Sequence, residues 1–332
     1  MLFISDGGKG IMKEEGKSMK KFVAGRLLSV LPVLAVVSVV IFSIVHLAPG
    51  DPAASILGDN ATAEDIAALR TRMGLDKPLA EQYLIWMGNI LHGDFGLSVA
   101  GNETVAHMLA SHWEPTLSLT VFSTVLALCL AIPLGILAAR KKGTAADYGV
   151  SVCSLAGISL PSFLLGLFLM MLFAVKLRIL PVSGYVPVSE GLAAHFRSLL
   201  LPGTALGFMH SALLMRMTKA SMLEVLGSDY IKMAKAKGVK ELFLVVRHAF
   251  RNALIPVLTT VGQSIVGALA GAAVVESMFA IPGMGQLMVN SIGRRDYYVI
   301  QAIVLVVACI NVLANLAVDL LYGLADPRVR LQ

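Results

Sequence analysis

The sequence has little charge and few cysteines. Charged residues make up 14% of the 332-residue chain, whereas a soluble domain carries about 25%. Because 57% of the residues are hydrophobic, the composition predicts a membrane protein. The three cysteines, Cys129, Cys153 and Cys309, lie in apolar stretches without close-spaced partners. They therefore indicate neither a disulfide framework nor a metal cluster.

Sequence motifs for nucleotide binding and catalysis are also absent. The chain contains no Gly-x-x-x-x-Gly-Lys-Ser/Thr, no Gly-x-Ser-x-Gly and no His-Glu-x-x-His sequence. We therefore expect no catalytic residue, cofactor site or metal site in this chain, and a membrane-embedded hydrolase is disfavoured. His92, His107 and His112 are interpreted as loop histidines, with a metal relay as the less favoured alternative. The net charge of +6 lies in loops beside apolar stretches, which argues against nucleic-acid binding.

Six apolar stretches are long enough to cross a bilayer, which requires about 20 helical residues. They are Phe22–Leu47, Thr116–Ala139, Tyr148–Val175, Leu199–Met217, Leu254–Phe279 and Tyr297–Leu324. Pro161 in the third stretch and Pro202-Gly203 in the fourth predict bends. The sequence therefore predicts an all-α integral membrane protein with six transmembrane helices. A secondary transporter, the other membrane class considered, would normally have more spans and inverted repeats.

The distribution of lysine and arginine predicts the orientation of the chain. With six spans, 19 of the 27 basic residues fall on the side of the N-terminus, and basic loops favour the cytoplasm. We therefore expect both termini to be cytoplasmic, with tails at residues 1–21 and 325–332. A cytoplasmic loop is expected at residues 218–253. Residues 48–115 would form an extracytoplasmic segment, and residues 116–324 the transmembrane core.

The extracytoplasmic segment has the sequence pattern of two helices. Thr62 and Asp65 form a capping box for a helix that ends near Met73, with Gly74 as its stop. Pro78 starts a second helix to Leu91. The apolar side of this second helix carries Leu79, Tyr83, Trp86, Met87 and Ile90. Because the segment is too small for a core of its own, we expect it to lean on the membrane helices.

The cytoplasmic loop predicts a short helix over Tyr230–Lys237, with Asp229 as N-cap and Gly238 as a left-handed stop. A second helix would cover Lys240–Arg251, and Pro256 would open the next span. A helix of about eight residues is not stable alone in water, so it needs a surface on which to dock. A basic helix lying on the anionic inner leaflet is the alternative interpretation.

The same loop carries the residues of a family signature. Ala234-Lys-Ala-Lys-Gly238, Arg247-His248-Ala249 and Leu254-Ile-Pro256 resemble the EAA loop of ABC-importer permeases, most closely in the dipeptide, oligopeptide and nickel branch. Lys232 or Met233 takes the place of the signature glutamate. Further motifs resemble the first permease of this branch: Pro49-Gly-Asp-Pro52, Leu75-Asp-Lys-Pro78-Leu79, Gly93-Asp-Phe-Gly96, Leu180-Pro-Val-Ser-Gly-Tyr185, Phe279-Ala-Ile-Pro-Gly-Met-Gly285, Arg295-Asp-Tyr297 and Asp326-Pro-Arg328.

This resemblance implies a permease subunit of an ATP-driven importer, not an enzyme. Two ATPase subunits would bind ATP and Mg, and a homologous second permease would complete the pathway across membrane lipid. An extracytoplasmic solute-binding protein would deliver the cargo, at the inner membrane of a bacterium or archaeon. Peptides are the implied solute, with nickel or a metal chelate as the alternative. The coupling helix that docks on the ATPase would include Tyr230, Ala234, Lys235, Ala236, Lys237 and Gly238.

Polar residues inside the predicted spans are candidates for lining the solute pathway. They are Gln263, Ser264, Glu276 and Asn311. For Glu276 the alternative is a carboxylate in water at the membrane interface. For Gln263 and Ser264 the alternative is hydrogen bonding between helices. Asn311 shares one helical face with Asn315 and Asp319, and we expect this face to contact protein.

Overall fold

The computed structural model describes residues 25, 28–43, 52–57, 61–72, 74–98 and 103–325. These residues are helical apart from loops and one isolated antiparallel bridge between Leu97 and Thr104. The predicted all-α class is therefore confirmed for the described residues. The predicted N-terminal tail, the ends of the first predicted span and residues 326–332 lie outside them.

The helices are numbered along the chain. The first four are α1 (Leu28–Ser43), α2 (Pro52–Leu57), α3 (Ala63–Arg72) and α4 (Leu79–Leu91). The next four are α5 (Val105–Arg140), α6 (Ala145–Ser159), α7 (Ser162–Leu169), which continues as a π-helix over Met170–Lys176, and α8 (Leu192–Leu226). The remainder are α9 (Asp229–Ala236), α10 (Glu241–Phe243), a π-helix over Leu244–Phe250, α11 (Arg251–Phe279), α12 (Met284–Gly293) and α13 (Tyr297–Ala325). A 3-10 turn covers Val188–Glu190.

Within the described ranges, four helices are long and apolar enough to cross a membrane. They are α5, α8, the continuous helix Glu241–Phe279 and the apolar part of α13, Tyr297–Leu320. A fifth candidate is the pair Ala145–Ser159 and Ser162–Lys176, whose two parts are bent by 104°. α1 is the described part of the first predicted span and is shorter. The chain is thus a multi-pass membrane protein, and the count of six spans stays a prediction.

Three spans, those that contain α5, α8 and α11, extend well beyond the predicted boundaries. α5 begins at Val105, not at Thr116, and α8 covers Leu192–Leu226, not Leu199–Met217. Hydropathy detects only the apolar part of such a helix. Backbone hydrogen bonding continues into the polar turns at either end because each added residue adds one bond.

The predictions made for the prolines in the spans are confirmed at one position and wrong at another. At Pro161 the predicted bend is confirmed, because α6 ends at Ser159 and Leu160 is extended, as the residue before proline prefers. Pro202 lies inside the uninterrupted helix α8. The prediction that Pro256 opens a span is wrong, because Pro256 lies inside α11 and helix extends back to Glu241. The predicted separate helix Lys240–Arg251 is therefore the first part of this span.

Small residues bring α5, α8 and α11 close together. A Cβ atom on Gly135 would lie 2.7 Å from the Cβ of Thr218, and one on Gly207 would lie 2.7 Å from the carbonyl oxygen of Ser123. Glycine at these positions therefore allows α5 and α8 to pack backbone against backbone, as membrane helices commonly do. On α11, Gly267 leaves room for a side chain instead, since a Cβ there would lie 3.0 Å from Cε1 of the His210 ring on α8.

α4 leans on α1, as the sequence predicts for this segment. The hydroxyl groups of Tyr83 and Ser38 lie 2.7 Å apart, and the ring of Phe42 packs against Tyr83 and Trp86. Leu79, which belongs to the predicted apolar side of α4, is exposed. The predicted capping box of α3 is confirmed, since Asp65 N–H donates to Thr62 Oγ1 and Thr62 N–H donates to Asp65 Oδ2, at 3.2 and 3.3 Å. The contacts of Tyr83 and Trp86 thus hold α4 against the described part of the first predicted span.

The two ends of the bundle are named here by the short helix that each carries. α9 connects α8 to the helix that begins at Glu241 and lies at one end, the α9 end. α12 connects α11 to α13 and lies at the other, the α12 end. α12 is a helix that the sequence does not predict. It buries Met284, Leu287 and Ser291 against the bundle.

Candidate coupling surface and solute pathway

One buried side chain anchors α9 to the bundle. Ile231 is 4% exposed and packs in an apolar cluster with Leu244, Val245 and Ala249. Ala234 packs against the same cluster. Residues three apart lie on one side of a helix, so these two side chains define the attached face of α9 and leave its opposite face open.

Both ends of α9 are set by local backbone geometry. Its N-cap is Ser228, so the predicted N-cap, Asp229, is instead the first helical residue. The Ser228 hydroxyl donates to the carbonyl of Val225 at 2.5 Å, which joins α9 to the end of α8. The predicted stop is confirmed, because Gly238 has a φ of +76°, a conformation that glycine adopts without steric cost.

Tyr230 ties the start of α9 to the start of α11. Its hydroxyl accepts a hydrogen bond from Asn252 Nδ2 at 2.6 Å and donates to the carbonyl of His248 at 3.4 Å. Together with Ile231, this contact holds α9 to the bundle at two adjacent residues. Motion of α9 is thereby linked to the helix that begins at Glu241.

The open face of α9 and the adjoining turns form an exposed surface of mixed character. Lys232, Lys235, Ala236, Lys237 and Gly238 are exposed there. Exposed apolar side chains stand beside them: Tyr230, Met233, Leu242, Phe243 and Val246. We call these ten residues the α9 surface. A cluster of exposed apolar side chains rimmed by charge marks an interaction site on a protein.

Two ion pairs flank α9 and meet at the turn between α5 and α6. Before α9, Lys219 Nζ contacts Asp147 Oδ1 at the start of α6 and donates to Ser151 Oγ at 2.9 Å. After α9, Arg140 Nη2 at the end of α5 contacts Glu241 Oε1 at 2.8 Å. The Lys219 pair is mostly buried, whereas Glu241 is exposed. The α5–α6 turn is thus attached to both sides of α9.

One face of α11 is exposed along most of its length. Its members recur at spacings of three, four and seven residues, which keep them on one side of a helix: Asn252, Thr259, Gln263, Ala270, Val274 and Ser277. Four of the six are polar. A face turned only to lipid would be apolar, so this face is suited to protein or water.

A groove lies on each side of this exposed face. Towards the α9 end, a groove of about 450 Å³ between α8 and α11 includes Arg216, Thr259 and Gln263. Towards the α12 end, an apolar groove of about 520 Å³ between α5, α11, α12 and α13 includes Thr120 and Ala270. The two grooves together extend along most of the bundle.

The other predicted pathway residues are less exposed than Gln263. Ser264 is buried and donates its hydroxyl to the carbonyl of Thr260 at 2.8 Å. Both residues belong to α11. The hydroxyl of Ser264 therefore does not make the hydrogen bond between helices that was the alternative interpretation. Asn311 is half-buried, and its Oδ1 has no hydrogen-bond partner among the described residues.

Glu276 is completely buried, which differs from both sequence interpretations. Its exposed fraction is 0%. Its carboxylate accepts hydrogen bonds from Thr116 Oγ1 at 2.6 Å and from the Gln286 N–H at 3.0 Å. A Cβ on Gly283 would lie 2.3 Å from the carboxylate carbon. Glu276 therefore caps the N-terminus of α12 from the preceding helix, α11, a favourable place for an anion.

Glu114 of α5 holds the loop that follows the π-helix of α7. Its Oε1 accepts hydrogen bonds from Tyr185 Oη at 3.0 Å and from the Val188 N–H at 3.1 Å. Burial raises the pKa of Tyr185 above its usual value, and the bond to Glu114 raises it further. These two hydrogen bonds fold the loop around Tyr185 and Val188 onto the α12 end of the bundle.

Sequence reasoning missed two features of this region. Thr116, Thr120 and Thr124 recur every four residues on α5, and the hydroxyls of Thr120 and Thr124 are buried without a partner among the described residues. Arg216 lies inside the predicted span Leu199–Met217 and within α8, but it was counted only among the basic residues that set the orientation and was not considered for the pathway. The periodicity of hydroxyl residues in an apolar stretch was the available signal for the first feature. Within the described ranges, no three metal-ligating side chains are grouped.

Comparison with known proteins gives two family matches. Residues 131–331 match the family described as the binding-protein-dependent transport system inner membrane component. Residues 19–120 match the N-terminal part of such membrane components.

Several curated proteins are similar over 94% of this chain. A probable peptide ABC transporter permease protein of Sinorhizobium fredii is 39% identical over 312 residues, which are 100% of its length. A glutathione transport system permease protein of Escherichia coli is 41% identical over 312 residues, 99% of its length. A putative peptide permease protein of Brucella ovis is 39% identical over 317 residues, also 99% of its length.

Proposed function

The chain belongs to the family of binding-protein-dependent transport system inner membrane components, and from this premise we propose that it is the permease subunit of an ATP-driven importer of peptides. It is a multi-pass inner-membrane protein, not an enzyme. The observation that carries the coupling mechanism is the α9 surface, an exposed face on a short helix that Ile231 and Tyr230 hold to the bundle.

The cargo follows from the relatives. Two of the three are named as peptide permeases, and the third is named for glutathione, which is itself a small peptide. These names favour peptides over nickel or a metal chelate, the second solute that the sequence pattern suggests. The solute-binding protein would deliver the peptide at the α12 end, and a second, homologous permease would complete the pathway.

The α9 surface is the proposed docking site for an ATPase subunit that binds ATP and Mg. Met233, Phe243 and Val246 offer apolar area, and Lys235 and Lys237 add positive charge at the edge. Ala236 and Gly238 leave the backbone accessible to a partner. In this arrangement the α9 end faces the cytoplasm, in agreement with the distribution of lysine and arginine.

Coupling requires that movement of α9 reaches the spans. The helix that begins at Glu241 contains both the attachment site of α9 and the exposed face with Gln263. The Lys219–Asp147 and Arg140–Glu241 pairs connect the same region to α5 and α6. An ATPase that binds nucleotide more tightly in one conformation therefore shifts the bundle towards that conformation.

The exposed face of α11 is the proposed wall of the pathway, completed by the second permease. Gln263 lies in this wall, Ser264 is buried next to it, and Glu276 fixes α12 at its delivery end. The half-buried Asn311 of α13 remains a candidate for the pathway. Glu276 thus acts on the shape of the entrance and not by direct contact with the solute.

The experiment compares Ala236→Asp with Ala145→Asp in the assembled importer. Ala236 lies in the α9 surface, and Ala145 is an exposed alanine at the same end of the bundle but outside that surface. We expect Ala236→Asp to abolish peptide uptake and ATPase binding without loss of insertion or assembly with the second permease. Ala145→Asp should leave uptake unchanged. Normal uptake by the Ala236 variant would exclude the α9 surface as the docking site.

A further inference from the structure

The groove between α8 and α11 holds an arginine within a membrane-spanning helix. Arg216 and Gln263 are both exposed and both line this groove. Arg216 lies ten residues before the end of α8, a distance of about 15 Å along the helix axis. It is also the next-to-last residue of the apolar stretch Leu199–Met217, so its guanidinium stays charged at the boundary of that stretch, where it lines the groove.

Among the residues that the structure describes, Arg216 has no acidic partner, unlike the basic residues nearby. Lys219, three residues later, pairs with Asp147, and Arg140 pairs with Glu241. Within the described residues, neither the guanidinium of Arg216 nor the amide of Gln263 makes a hydrogen bond or ion pair. The groove thus contains an uncompensated positive charge.

The free hydrogen-bond donors of the groove come from these two side chains. The hydroxyls of Thr259 and Thr260 already donate to the carbonyls of Ile255 and Pro256, at 3.2 and 3.0 Å. They can accept hydrogen bonds but have no further hydrogen to donate. The ligand that suits the remaining guanidinium and amide donors is therefore an anionic acceptor.

We propose that this groove binds the free carboxylate of the peptide as it passes through the permease. This inference rests on the proposed transport of peptides. A guanidinium presents two parallel N–H groups that match the two oxygens of a carboxylate. The apolar groove further along the same face of α11 is suited to the side chains of the same cargo. Arg216 is then a specificity-determining residue that selects peptides with an unblocked C-terminus.

The test uses the complete importer in proteoliposomes, with its binding protein loaded to equal, measured occupancy. The probes are one tripeptide as the free acid and the same tripeptide as the C-terminal amide. The variants are Arg216→Gln and Arg216→Lys, with Lys142→Gln as a control that removes an exposed charge from the α5–α6 turn. Uptake and ATP hydrolysis stimulated by the binding protein are measured for each.

We expect Arg216→Gln to lower uptake of the acid by about tenfold or more, because a charge-assisted, two-pronged hydrogen bond is lost. Uptake of the amide and the stimulated ATP hydrolysis should stay close to wild type. Arg216→Lys should give an intermediate loss, since it keeps the charge without the planar fork. If Arg216→Gln does not assemble, Gln263→Leu should give a smaller loss that is again confined to the acid.

Three results would overturn the inference. Equal uptake of the acid by wild type and Arg216→Gln would show that no carboxylate binds there. An equal loss for acid and amide that depends on the fraction of anionic lipid would assign Arg216 to lipid phosphate. If the wild-type importer takes up neither peptide, the proposed peptide cargo is rejected as well. Failure of the carboxylate site and failure of the proposed function therefore give different results.

Discussion

The hydroxyl of Thr116 donates a hydrogen bond to the Glu276 carboxylate at 2.6 Å and accepts one from the backbone N–H of Met284 at 2.8 Å. This one side chain therefore joins α5, α11 and α12 at the α12 end. Thr116 and Glu276 are both buried, so water does not replace either bond when it is lost.

Replacement of Thr116 by valine should destabilise the protein by about 1–2 kcal/mol, because it leaves buried polar groups unpaired. Thr120 provides a matched control one turn further along α5. Its hydroxyl is buried without a partner among the described residues, so Thr120→Val should change stability by no more than about 0.5 kcal/mol. Thermal unfolding of the purified complex measures both. Equal effects would mean that the Thr116–Glu276 contact contributes nothing specific.

Replacement of Gly238 by alanine should weaken coupling without a steric clash. A Cβ at this position meets no atom within 4 Å, so the effect comes from the left-handed backbone and is about 1 kcal/mol. Gly143, in the α5–α6 turn, has a φ of +77° and equally open surroundings. Both variants should lose similar stability, but only Gly238→Ala should speed hydrogen exchange in α9 and reduce uptake. An equal loss of uptake in Gly143→Ala would indicate a general effect of stability.

Removal of one member of the Lys219–Asp147 pair should harm coupling more than removal of both. Lys219→Met leaves a mostly buried Asp147 carboxylate without its cation, whereas a double variant with Asp147→Asn leaves no uncompensated charge. Arg140→Gln provides the comparison, because its partner Glu241 is exposed and exposed pairs contribute little. The ratio of peptide uptake to ATP hydrolysis measures coupling. A single variant that behaves like the double variant would argue against a mechanical role for the pair.

Local signals in the sequence were enough for several elements of the fold. The capping box at Thr62 and Asp65, the left-handed stops at Gly74 and Gly238, and the break at Pro161 all depend on neighbouring residues. The short helix before Gly238 was predicted to within one residue at each end. These features need no tertiary partner, which is why pattern and propensity identify them.

Features that depend on distant contacts were not predictable in this way. α12 has glycine at its N-cap, and the acceptor for its N-terminal N–H groups is Glu276, on the preceding span. Burial of Glu276 in turn depends on Thr116, 160 residues away in the sequence. Pro256 is a helix breaker by local rules, but the bundle holds the helix together around it.

The candidate site also has some features that depend on neighbouring residues and others that depend on contacts between distant parts of the chain. The α9 residues share a short, continuous sequence pattern, so their place on one helix was predictable. The pairing of Lys219 with Asp147 and the position of Arg216 beside Gln263 depend on how α8 packs against α6 and α11. No periodicity within a single stretch contains that information.

The π-helix at Leu244–Phe250 has a consequence for insertions and deletions in this chain. A π-helical stretch contains one residue more than an α-helical stretch of equal length. Deletion of one residue there would remove the extra residue and restore regular α-helical winding, with α9 left in nearly the same direction relative to α11. The same deletion in the α-helical part of α11 would rotate everything on its N-terminal side by about 100°. The π-helix is therefore a place where loss of a single codon should leave the α9 surface directed at its partner, whereas the same loss one or two turns further into α11 should turn it away.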